Sequence, residues 1–309
     1  MNILKPPQLK KGDTIGVIYP ASPLPDIKYL ERGKAFFNKF GFNVIESYFQ
    51  SKGYLAGSDA KRLANLHQMF EDPNVKALIC LRGGYGTLRL LQDINYQLIR
   101  SNPKILIGYS DITALHLAIN KMTGLVTFHG PMIYPELGED IISPYTIESL
   151  IRTITLNEPL GTLDHGFIKP VTISPGQAEG MIIGGNLSLV TATLGTPFEI
   201  DTTGKILFLE EVDEAPYRID RMLMQLKLAG KLEVAAGIIF GQFTRCINSR
   251  NNLTPLDIIK RDLVPLGKPC IYGLPAGHLP TQLTLPLGIR VRLDATNCTL
   301  TYLESALKS

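Results

Sequence analysis

The sequence predicts an α/β protein with two domains, the first of which is built on a parallel β-sheet. In the first half, short runs of β-branched and aliphatic residues alternate with segments of helical periodicity, which is the pattern of βαβ units. In the second half the pattern is mixed, and the chain closes on "IRVRL" and "CTLTYL", two runs typical of a β-hairpin. A chain of 309 residues is long enough to form two hydrophobic cores.

The elements of the first half follow from this periodicity. The predicted strands are "TIGVIYPAS", "NVIES", "VKALICL", "KILIGY" and "LVTFHG". The predicted helices are "YLERGKAFFNKFG", "DAKRLANLHQMFED", "GTLRLLQDI" and "DITALHLAINKMTG", whose apolar residues recur every three or four positions. Gly41 and Gly124 stop the first and the last of these helices, since glycine is the residue that most often ends a helix.

Residues 156–178 are predicted to link the two domains. The stretch "LNEPLGTLDHGFIKPVTISPGQ" contains three prolines and three glycines and has only weak periodicity. The first domain is therefore assigned to residues 1–155 and the second to residues 179–309. The second begins with "AEGMIIGGNLSLVTATLG". It continues with the strands "KILFLEE", "AAGIIFGQF" and "CIYGLPAGH" and the helices "YRIDRMLMQLKLAGK" and "PLDIIKRDLV".

The composition excludes several classes of protein. With 45% hydrophobic and 19% charged residues the chain is globular, and a net charge of +3 without a run of basic residues does not favour nucleic acid or a membrane as a partner. No apolar run has the length of a signal peptide or a membrane span. The cysteines form no CxxC pair, so we expect free thiols in the cytoplasm; they are Cys80, Cys246, Cys270 and Cys298. There is no HExxH motif or Cys/His cluster, so neither a metal nor another cofactor is expected.

Four strands of the first half end in turns with chemically useful residues. These turns are Pro20-Ala21-Ser22, Arg82-Gly83-Gly84, Tyr109-Ser110-Asp111 and His129-Gly130-Pro131. In open parallel sheets, ligands bind beyond the carboxyl ends of the strands. The sequence therefore predicts the functional site at this edge of the first sheet.

Ser110 lies at the sharpest of these junctions, and two explanations are open. A serine between a strand and a helix is most often an N-cap. The same strand–turn–helix context is also the one in which a nucleophilic serine is held on a tight turn. The G-x-S-x-G motif of α/β-hydrolases is incomplete here, because Gly108 is present and Ile112 replaces the second glycine.

A nucleophilic serine needs a histidine base with a carboxylate behind it. Of the five histidines, His116 is six positions along the same helix, which turns it by about 240° away from Ser110. His67 lies in an amphipathic helix and His165 in the linker. His129 and His278 remain, because each lies at or near the end of a predicted strand.

The acidic candidates follow the strand "KILFLEE". Glu210 and Glu211 lie at its end, where a carboxylate could orient an imidazole. The alternative is an ion pair with Arg218 or Arg221 on the next helix.

Two glycine-rich turns, "RGGYG" and "GGN", are also candidates. "RGGYG" lacks the third glycine of a dinucleotide fingerprint and the Lys-Ser/Thr of a P-loop. Its exposed N–H groups could instead form an oxyanion hole.

Taken in order, these motifs resemble the LD-carboxypeptidases, the muramoyltetrapeptide carboxypeptidase family of serine peptidases. The motifs are "RGGYG", "GYSD", "FHGPM", "GGNL", "GTP", "LFLEEVDE", "YRIDRML", "GLPAGH" and "LPLG". They extend over almost the whole chain. The resemblance implies an N-terminal Rossmann-like domain and a smaller, swivelling, β-rich C-terminal domain.

The resemblance also implies the roles of individual residues. Ser110 would be the nucleophile, Glu210 the acid and His278 the general base of a catalytic triad. Backbone N–H groups of Gly84 and Asp111 would form the oxyanion hole. The nucleophile then comes from one domain and its two partners from the other.

The implied substrate is a small peptide from peptidoglycan, from which a terminal D-alanine is released. Arg82 and Tyr85 lie in the turn near Ser110 and are candidates for binding it. The same family includes the microcin C self-immunity proteins, which cleave aminoacyl-nucleotide toxins and stack the nucleobase on an aromatic residue, often Trp, of the linker region. This chain has no Trp, and Phe167 is the aromatic residue of its linker, which favours the muropeptide. A non-catalytic small-molecule binder and a homodimer are both left open.

Overall fold

The structure of the protein is a computed structural model that describes residues 2–47, 53–247 and 253–309. Its first half contains β1 (Thr14–Ile18), α1 (Lys28–Lys39), β2 (Asn43–Glu46), α2 (Asp59–Glu71), β3 (Val75–Cys80), α3 (Tyr96–Ser101), β4 (Ile105–Gly108), α4 (Thr113–Thr123), β5 (Thr127–His129) and α5 (Pro144–Thr155). Its second half contains β6 (Gly161–Thr162), β7 (Val171–Ser174), β8 (Gln177–Asn186), α6 (Leu187–Ala192), β9 (Ile206–Val212), α7 (Pro216–Leu228), β10 (Gly237–Thr244), α8 (Pro255–Leu263), β11 (Cys270–Tyr272), β12 (Leu285–Leu287), β13 (Ile289–Asp294) and β14 (Thr299–Tyr302).

The first sheet has six strands in the order β12-β5-β4-β3-β1-β2. The five strands from the first half are mutually parallel, as the βαβ pattern predicts. The sixth strand, β12, pairs antiparallel with β5 and comes from the second half of the chain. The sheet that carries the Ser110 turn is therefore completed by a strand close in sequence to His278.

The second sheet has eight strands in the order β6-β14-β13-β8-β9-β10-β11-β7. Its central strands β8, β9, β10 and β11 are parallel, and antiparallel strands flank them on both sides. The predicted mixed character and the closing hairpin of β13 and β14 are confirmed. Residues 156–178 contain β6, β7 and the first two residues of β8, all of which belong to this sheet.

The helices differ from the prediction at three places. The segment predicted as the helix "GTLRLLQDI" is a 3-10 helix over Thr87–Asp93. Its first residue is tied to the turn after β4, because the Thr87 N–H donates to Asp111 Oδ2 at 2.9 Å and Thr87 Oγ1 donates to the Asp111 carbonyl at 2.6 Å. Helices α3 and α5 are additional to the predicted elements.

The core is continuous between the two sheets. Neighbouring residues of β4 point to opposite faces of the first sheet, with Ile107 in one apolar cluster and Leu106 in another. The cluster that contains Ile107 also includes Ile182 and Ile206 of the second sheet. Helices α6, α7 and α8 cover the other face of the second sheet. This shared core positions the strand ends of one sheet against those of the other.

The carboxyl ends of β1, β3, β4 and β5 lie side by side, because these strands are neighbours in the sheet. The turns that follow them are joined by backbone hydrogen bonds, from the Ser22 N–H to the Gly83 carbonyl at 3.3 Å and from the Gly130 N–H to the Gly108 carbonyl at 3.2 Å. The predicted edge of the sheet thus exists as one connected surface. None of the helices in the described ranges is long and apolar enough to cross a bilayer.

Candidate active site

Ser110 occupies a strained turn between β4 and α4. Its φ angle is +63°, a left-handed conformation that costs on the order of 1–3 kcal/mol for a residue with a side chain. Helix α4 begins at Thr113, and its N-cap, Ile112, makes no side-chain cap hydrogen bond. Ser110 is therefore not the N-cap of α4, and the capping explanation is wrong. A strained strand-to-helix turn is the conformation that exposes a nucleophilic hydroxyl.

The glycine-rich turn after β3 packs directly against Ser110. A Cβ atom at Gly83 would lie 3.0 Å from Ser110 Cβ and 3.2 Å from Ser110 Oγ. Gly84 has a φ of +107°, and a Cβ there would lie 2.4 Å from Ser22 Oγ. The same Ser22 Oγ accepts a hydrogen bond of 3.2 Å from the Tyr85 N–H. Glycine is needed at position 83 because the turn approaches Ser110 so closely, and at position 84 because of the positive φ and the nearby Ser22 side chain.

Two backbone N–H groups near this turn, those of Asp111 and Gly84, have no backbone acceptor within the described ranges. Asp111 is the second residue of the 3-10 turn Ser110–Ile112, and N–H groups in a first helical turn have no acceptor within the helix. In residues 2–47, 53–247 and 253–309 no backbone carbonyl accepts from the Gly84 N–H. Both groups are free to donate to an oxygen atom of a ligand.

The second sheet contributes a His–Glu pair in which the histidine is partly exposed and the carboxylate is buried. His278 Nδ1 lies 2.7 Å from Glu210 Oε2, and Glu210 is fully buried. Gly277, with a φ of +113°, leaves room for this carboxylate, because a Cβ there would lie 2.6 Å from Glu210 Oε2. A carboxylate at Nδ1 leaves Nε2 as the ring atom that can exchange a proton.

The neighbouring acid, Glu211, serves a different set of partners. Its carboxylate accepts hydrogen bonds from Asn186 Nδ2, from the N–H and Oγ of Ser188, and from the Val212 N–H, at 2.7–2.9 Å. Adjacent residues of a strand point to opposite faces, so only one of the two acids reaches His278. The ion-pair alternative is wrong for both acids, because within the described ranges neither pairs with Arg218 or Arg221; Arg218 pairs with Glu214 instead, at 3.3 Å.

The charges around His278 favour its protonated form. Burial alone would lower the pKa of His278, but the Glu210 carboxylate opposes it, with smaller contributions from Glu136 and Glu211, and the pKa is raised above its usual value. Burial also raises the pKa of Glu211, which the hydrogen bonds from Ser188 partly offset. An imidazole with a raised pKa is a stronger base once it is neutral.

His278 opens onto a cleft of about 580 Å³. The cleft is lined by Tyr109, the segment 135–136, the segment 139–143, Arg245 and the segment 278–280. Tyr109 directly precedes Ser110, so residues next to the serine turn and the histidine line one cavity. No group of three or more His, Cys, Asp or Glu side chains in the described part of the chain is arranged to hold a metal ion.

Comparison with known proteins gives two family matches. The LD-carboxypeptidase N-terminal domain matches residues 15–130, and the LD-carboxypeptidase C-terminal domain matches residues 179–293. The chain belongs to the LD-carboxypeptidase family. One relative is the Bacillus subtilis protein named "Probable murein peptide carboxypeptidase", which is 46% identical over 300 residues, covering 96% of this chain and 93% of the relative.

Other LD-carboxypeptidase relatives have different names. The microcin C7 self-immunity protein MccF of Escherichia coli is 28% identical over 332 residues, covering 97% of this chain and 96% of the relative. The structure of MccF in complex with glutamyl sulfamoyl guanosine superposes with a TM-score of 0.90 at 27% identity, over 99% of this chain and all of that one. The muramoyltetrapeptide carboxypeptidase of Oxalobacter formigenes gives a TM-score of 0.83 at 29% identity, over 93% and 97% of the two chains. The predicted fold class is confirmed, and this LD-carboxypeptidase family member is a hydrolase.

Arg82 and Tyr85 lie beside the serine turn of this LD-carboxypeptidase family member but outside the cleft at His278. The Arg82 guanidinium donates to the Pro23 carbonyl at 3.0 Å and lies 5.0 Å from the centre of the Tyr134 ring. Tyr85 is exposed, with its ring 5.4 Å from that of Tyr54. Their role in substrate binding remains a prediction.

The other histidine at a strand end, His129, is fully enclosed. It lies between Tyr109 and Phe208, with ring centres 5.7 Å and 5.0 Å away, and neither of its ring nitrogens has a hydrogen-bond partner in the described ranges. Burial lowers the pKa of His129 well below its usual value, and the nearby His116 and His278 lower it further. It is therefore a neutral core residue in this structure.

Two charged residues of the cleft, Glu136 and Arg245, are absent from the sequence prediction. Glu136 follows β5 in the irregular helical turn Ile133–Leu137, and Arg245 follows β10 with a φ of +56°. Neither lies in a recognisable motif of the sequence. In the sequence, Arg245 is notable only as a polar residue that follows the apolar strand "AAGIIFGQF". Polar residues follow most strands, so this pattern does not distinguish a functional residue.

Proposed function

We propose that the protein is a serine-type LD-carboxypeptidase that hydrolyses the amide bond before the terminal D-alanine of peptidoglycan-derived tetrapeptides. The observation that carries the proposal is the His278–Glu210 pair, 2.7 Å apart with its carboxylate fully buried, beside a strained serine turn in a member of a carboxypeptidase family. The murein peptide carboxypeptidase named among the relatives, at 46% identity, supports the class of substrate.

In the proposed reaction Ser110 attacks the scissile carbonyl carbon while His278 Nε2 accepts the serine proton. The Gly84 and Asp111 N–H groups donate to the oxygen on which negative charge develops. Glu210 holds the imidazole in the Nδ1–H tautomer and stabilises the imidazolium. His278 then gives the proton to the leaving amine of D-alanine, and water releases the acyl group from Ser110.

The proposal places the reaction between two parts of the chain. Ser110 comes from the proposed domain of residues 1–155, and Glu210 and His278 come from the proposed domain of residues 179–309. Arg82 and Tyr85, in the turn beside Ser110, are proposed to bind the substrate. The structure's four free cysteines support a reducing compartment and hence our proposal of a cytoplasmic protein.

The second candidate function is hydrolysis of aminoacyl-nucleotide toxins, because MccF superposes closely on this chain. The chain has no Trp, and Phe167 in the segment between the proposed domains is fully exposed. The muropeptide is therefore the substrate that we favour.

The test compares the two substrates side by side. Purified protein is given the tetrapeptide with a terminal D-alanine, its all-L analogue and an aminoacyl sulfamoyl adenosine, and free D-alanine and free amino acid are measured. We expect D-alanine release and little or no cleavage of the all-L analogue, since exchanging methyl and hydrogen at the last centre displaces the carbonyl, and a misplacement of about 1 Å can cost on the order of a hundredfold.

Rapid hydrolysis of the sulfamoyl adenosine without D-alanine release would overturn the substrate assignment and leave the serine mechanism intact. A serine-reactive fluorophosphonate separates an enzyme from a non-catalytic binder. We expect it to label the wild type at Ser110 and to leave the Ser110→Ala variant unlabelled. An unlabelled wild type would refute the nucleophile assignment.

A further inference from the structure

A buried acid that the proposed reaction does not use lies in the wall of the cleft. Glu136 is 8% exposed and lines the cleft together with His278. Its Oε1 accepts a hydrogen bond of 2.5 Å from the Tyr109 hydroxyl, and its Oε2 accepts one of 3.2 Å from the Met132 N–H. Both carboxylate oxygens therefore face donors, an arrangement that suits the ionised form.

Tyr109 connects this acid to the histidine. Its ring is almost fully buried and meets the His278 ring edge to face, with 4.8 Å between the ring centres and 63° between their planes. The hydroxyl of the same ring is held by Glu136. The orientation of the Tyr109 ring, and with it the surface against which the imidazole packs, therefore depends on the Glu136 carboxylate.

Glu136 and His278 also influence each other electrostatically. Burial is the largest influence on the pKa of Glu136 and raises it to about 7. The hydrogen bonds from Tyr109 and Met132 and the charge of His278 lower this pKa and so offset part of the effect of burial. The Glu136 charge in turn is one of those that raise the pKa of His278. The two groups thus favour each other's charged forms.

We propose that the Tyr109–Glu136 pair is a second anionic partner of His278, which positions the imidazole against Glu210 and stabilises its protonated state during the reaction. Glu136 is a positioning residue, because it acts through Tyr109 and through its charge. The inference rests on the proposed function in taking His278 as the general base. It goes beyond the triad by adding a second carboxylate, which is connected to the imidazole through the Tyr109 ring.

Other ionisable groups surround this pair, and their effects on the titration of His278 must be distinguished from the effect of Glu136. His278 also faces Glu210 at 2.7 Å, and it interacts electrostatically with Glu211, Asp213 and His129. Glu139, Asp140 and Arg245 line the same cleft. Asp140 offers a matched control, since it is exposed, lies four residues from Glu136 and forms an ion pair of 2.8 Å with Arg32.

The decisive variant is Glu136→Gln, which keeps the size of the side chain and an acceptor for the Tyr109 hydroxyl but removes the charge. Without that charge the imidazole loses its proton at lower pH. We expect the midpoint of the acidic limb of kcat/KM to move to lower pH by on the order of half to one unit. Tyr109→Phe, which keeps the ring and removes the donor, should shift the midpoint in the same direction. Asp140→Asn should leave it in place.

A second readout does not depend on turnover. In the Ser110→Ala background, the His278 imidazole is titrated by NMR, with its signal assigned by its loss in a His278→Gln variant. We expect Glu136→Gln to lower this titration midpoint by a similar amount and Glu136→Asp to restore most of it. If the enzyme does not release D-alanine, the proposed function fails while this test still decides the role of Glu136.

The inference is overturned if Glu136→Gln lowers the rate by the same factor at every pH and leaves the NMR titration of His278 unchanged. That outcome would give Glu136 a purely structural role. Should Glu136→Gln fail to fold, Tyr109→Phe decides by the same two measurements, and an unchanged titration there overturns the inference equally.

Discussion

Replacing Glu210 with glutamine is the sharpest perturbation of the proposed triad. The Glu210 carboxylate lies 2.7 Å from His278 Nδ1 and is fully buried. The amide has almost the same volume, so the fold should survive. If its nitrogen faces the ring, the proton moves to Nε2, and the imidazole can no longer accept the proton of Ser110. If its oxygen faces the ring, the imidazolium loses its compensating charge.

The magnitude of this loss can be worked out from the geometry. The equivalent Asp-to-Asn change in a Ser-His-Asp protease lowers kcat by about 10⁴, which corresponds to roughly 5 kcal/mol. Here the contact is 2.7 Å long and the carboxylate is fully buried, so we expect Glu210→Gln to reduce kcat by a similar factor, about 10³ to 10⁴. The melting temperature should change little, because the glutamine side chain has almost the same volume and fits the space that Gly277 and Gly241 leave around Glu210.

Glu211→Gln is the matched control, one residue along the same strand. Glu211 accepts hydrogen bonds from Asn186, from two groups of Ser188 and from the Val212 N–H. Each oxygen of Glu211 accepts from two of these donors, so an amide in its place turns an NH2 group toward two donor groups, which costs about 1–3 kcal/mol of stability. We therefore expect a melting temperature lower by several degrees and kcat within about an order of magnitude of the wild type.

The assay measures D-alanine release at saturating tetrapeptide, with thermal unfolding followed by circular dichroism on the same samples. Glu210→Gln combined with His278→Ala should be no worse than His278→Ala alone, since triad members act as a unit. The opposite pattern, a crippled Glu211→Gln beside a nearly normal Glu210→Gln, would refute the assignment of the acid. Equal losses of stability in both variants would show that the rate effect reports unfolding.

Three further predictions rest on close contacts and on charge. A Cβ at Gly277 would lie 2.6 Å from Glu210 Oε2, so Gly277→Ala should displace the acid and lower kcat at least tenfold, roughly the cost of a misplaced catalytic group; steady-state kinetics would show whether kcat stays normal instead. Gly83→Ala should lower kcat with less effect on KM, because its methyl group would lie 3.2 Å from Ser110 Oγ, and rapid labelling of that variant by a fluorophosphonate would contradict this. The neighbouring carboxylates raise the pKa of His278, and the imidazole must be neutral to accept a proton. We therefore expect kcat/KM to rise with pH through a midpoint above about 6.5. A midpoint below that value would show that burial affects this pKa more strongly than the carboxylates do.

The local elements of this protein could be predicted from the sequence because they depend on short-range periodicity. Apolar residues every three or four positions mark α1, α2 and α4, and short aliphatic runs mark the strands of the parallel sheet. Gly124 ends α4 in the left-handed conformation, for which it is the favoured residue. The 3-10 form of Thr87–Asp93 could not be predicted, because its first residue is held by Asp111, 24 positions away.

The candidate site was only partly visible in the sequence. Motif order pointed to Ser110, Glu210 and His278, and strand alternation meant that only one of Glu210 and Glu211 could face the histidine. Which of the two acids reaches His278 is decided by the structure, through the close packing of Gly277 on Glu210. The structure likewise excludes the capping explanation for Ser110, because its φ is +63° and the N-cap of α4 is Ile112.

What the sequence determined by itself is the set of elements, the order of the motifs and membership of a family, all of which depend on residues that are near one another along the chain. What only the tertiary structure decided is which side chains meet. Strand β12, close to His278 in sequence, pairs with β5 of the first sheet, and Tyr109 brings Glu136 into contact with the surroundings of His278. Glu136 and His278 are far apart in sequence, and nothing in local periodicity specifies such a distant pairing, because it depends on how the two sheets pack through their shared core.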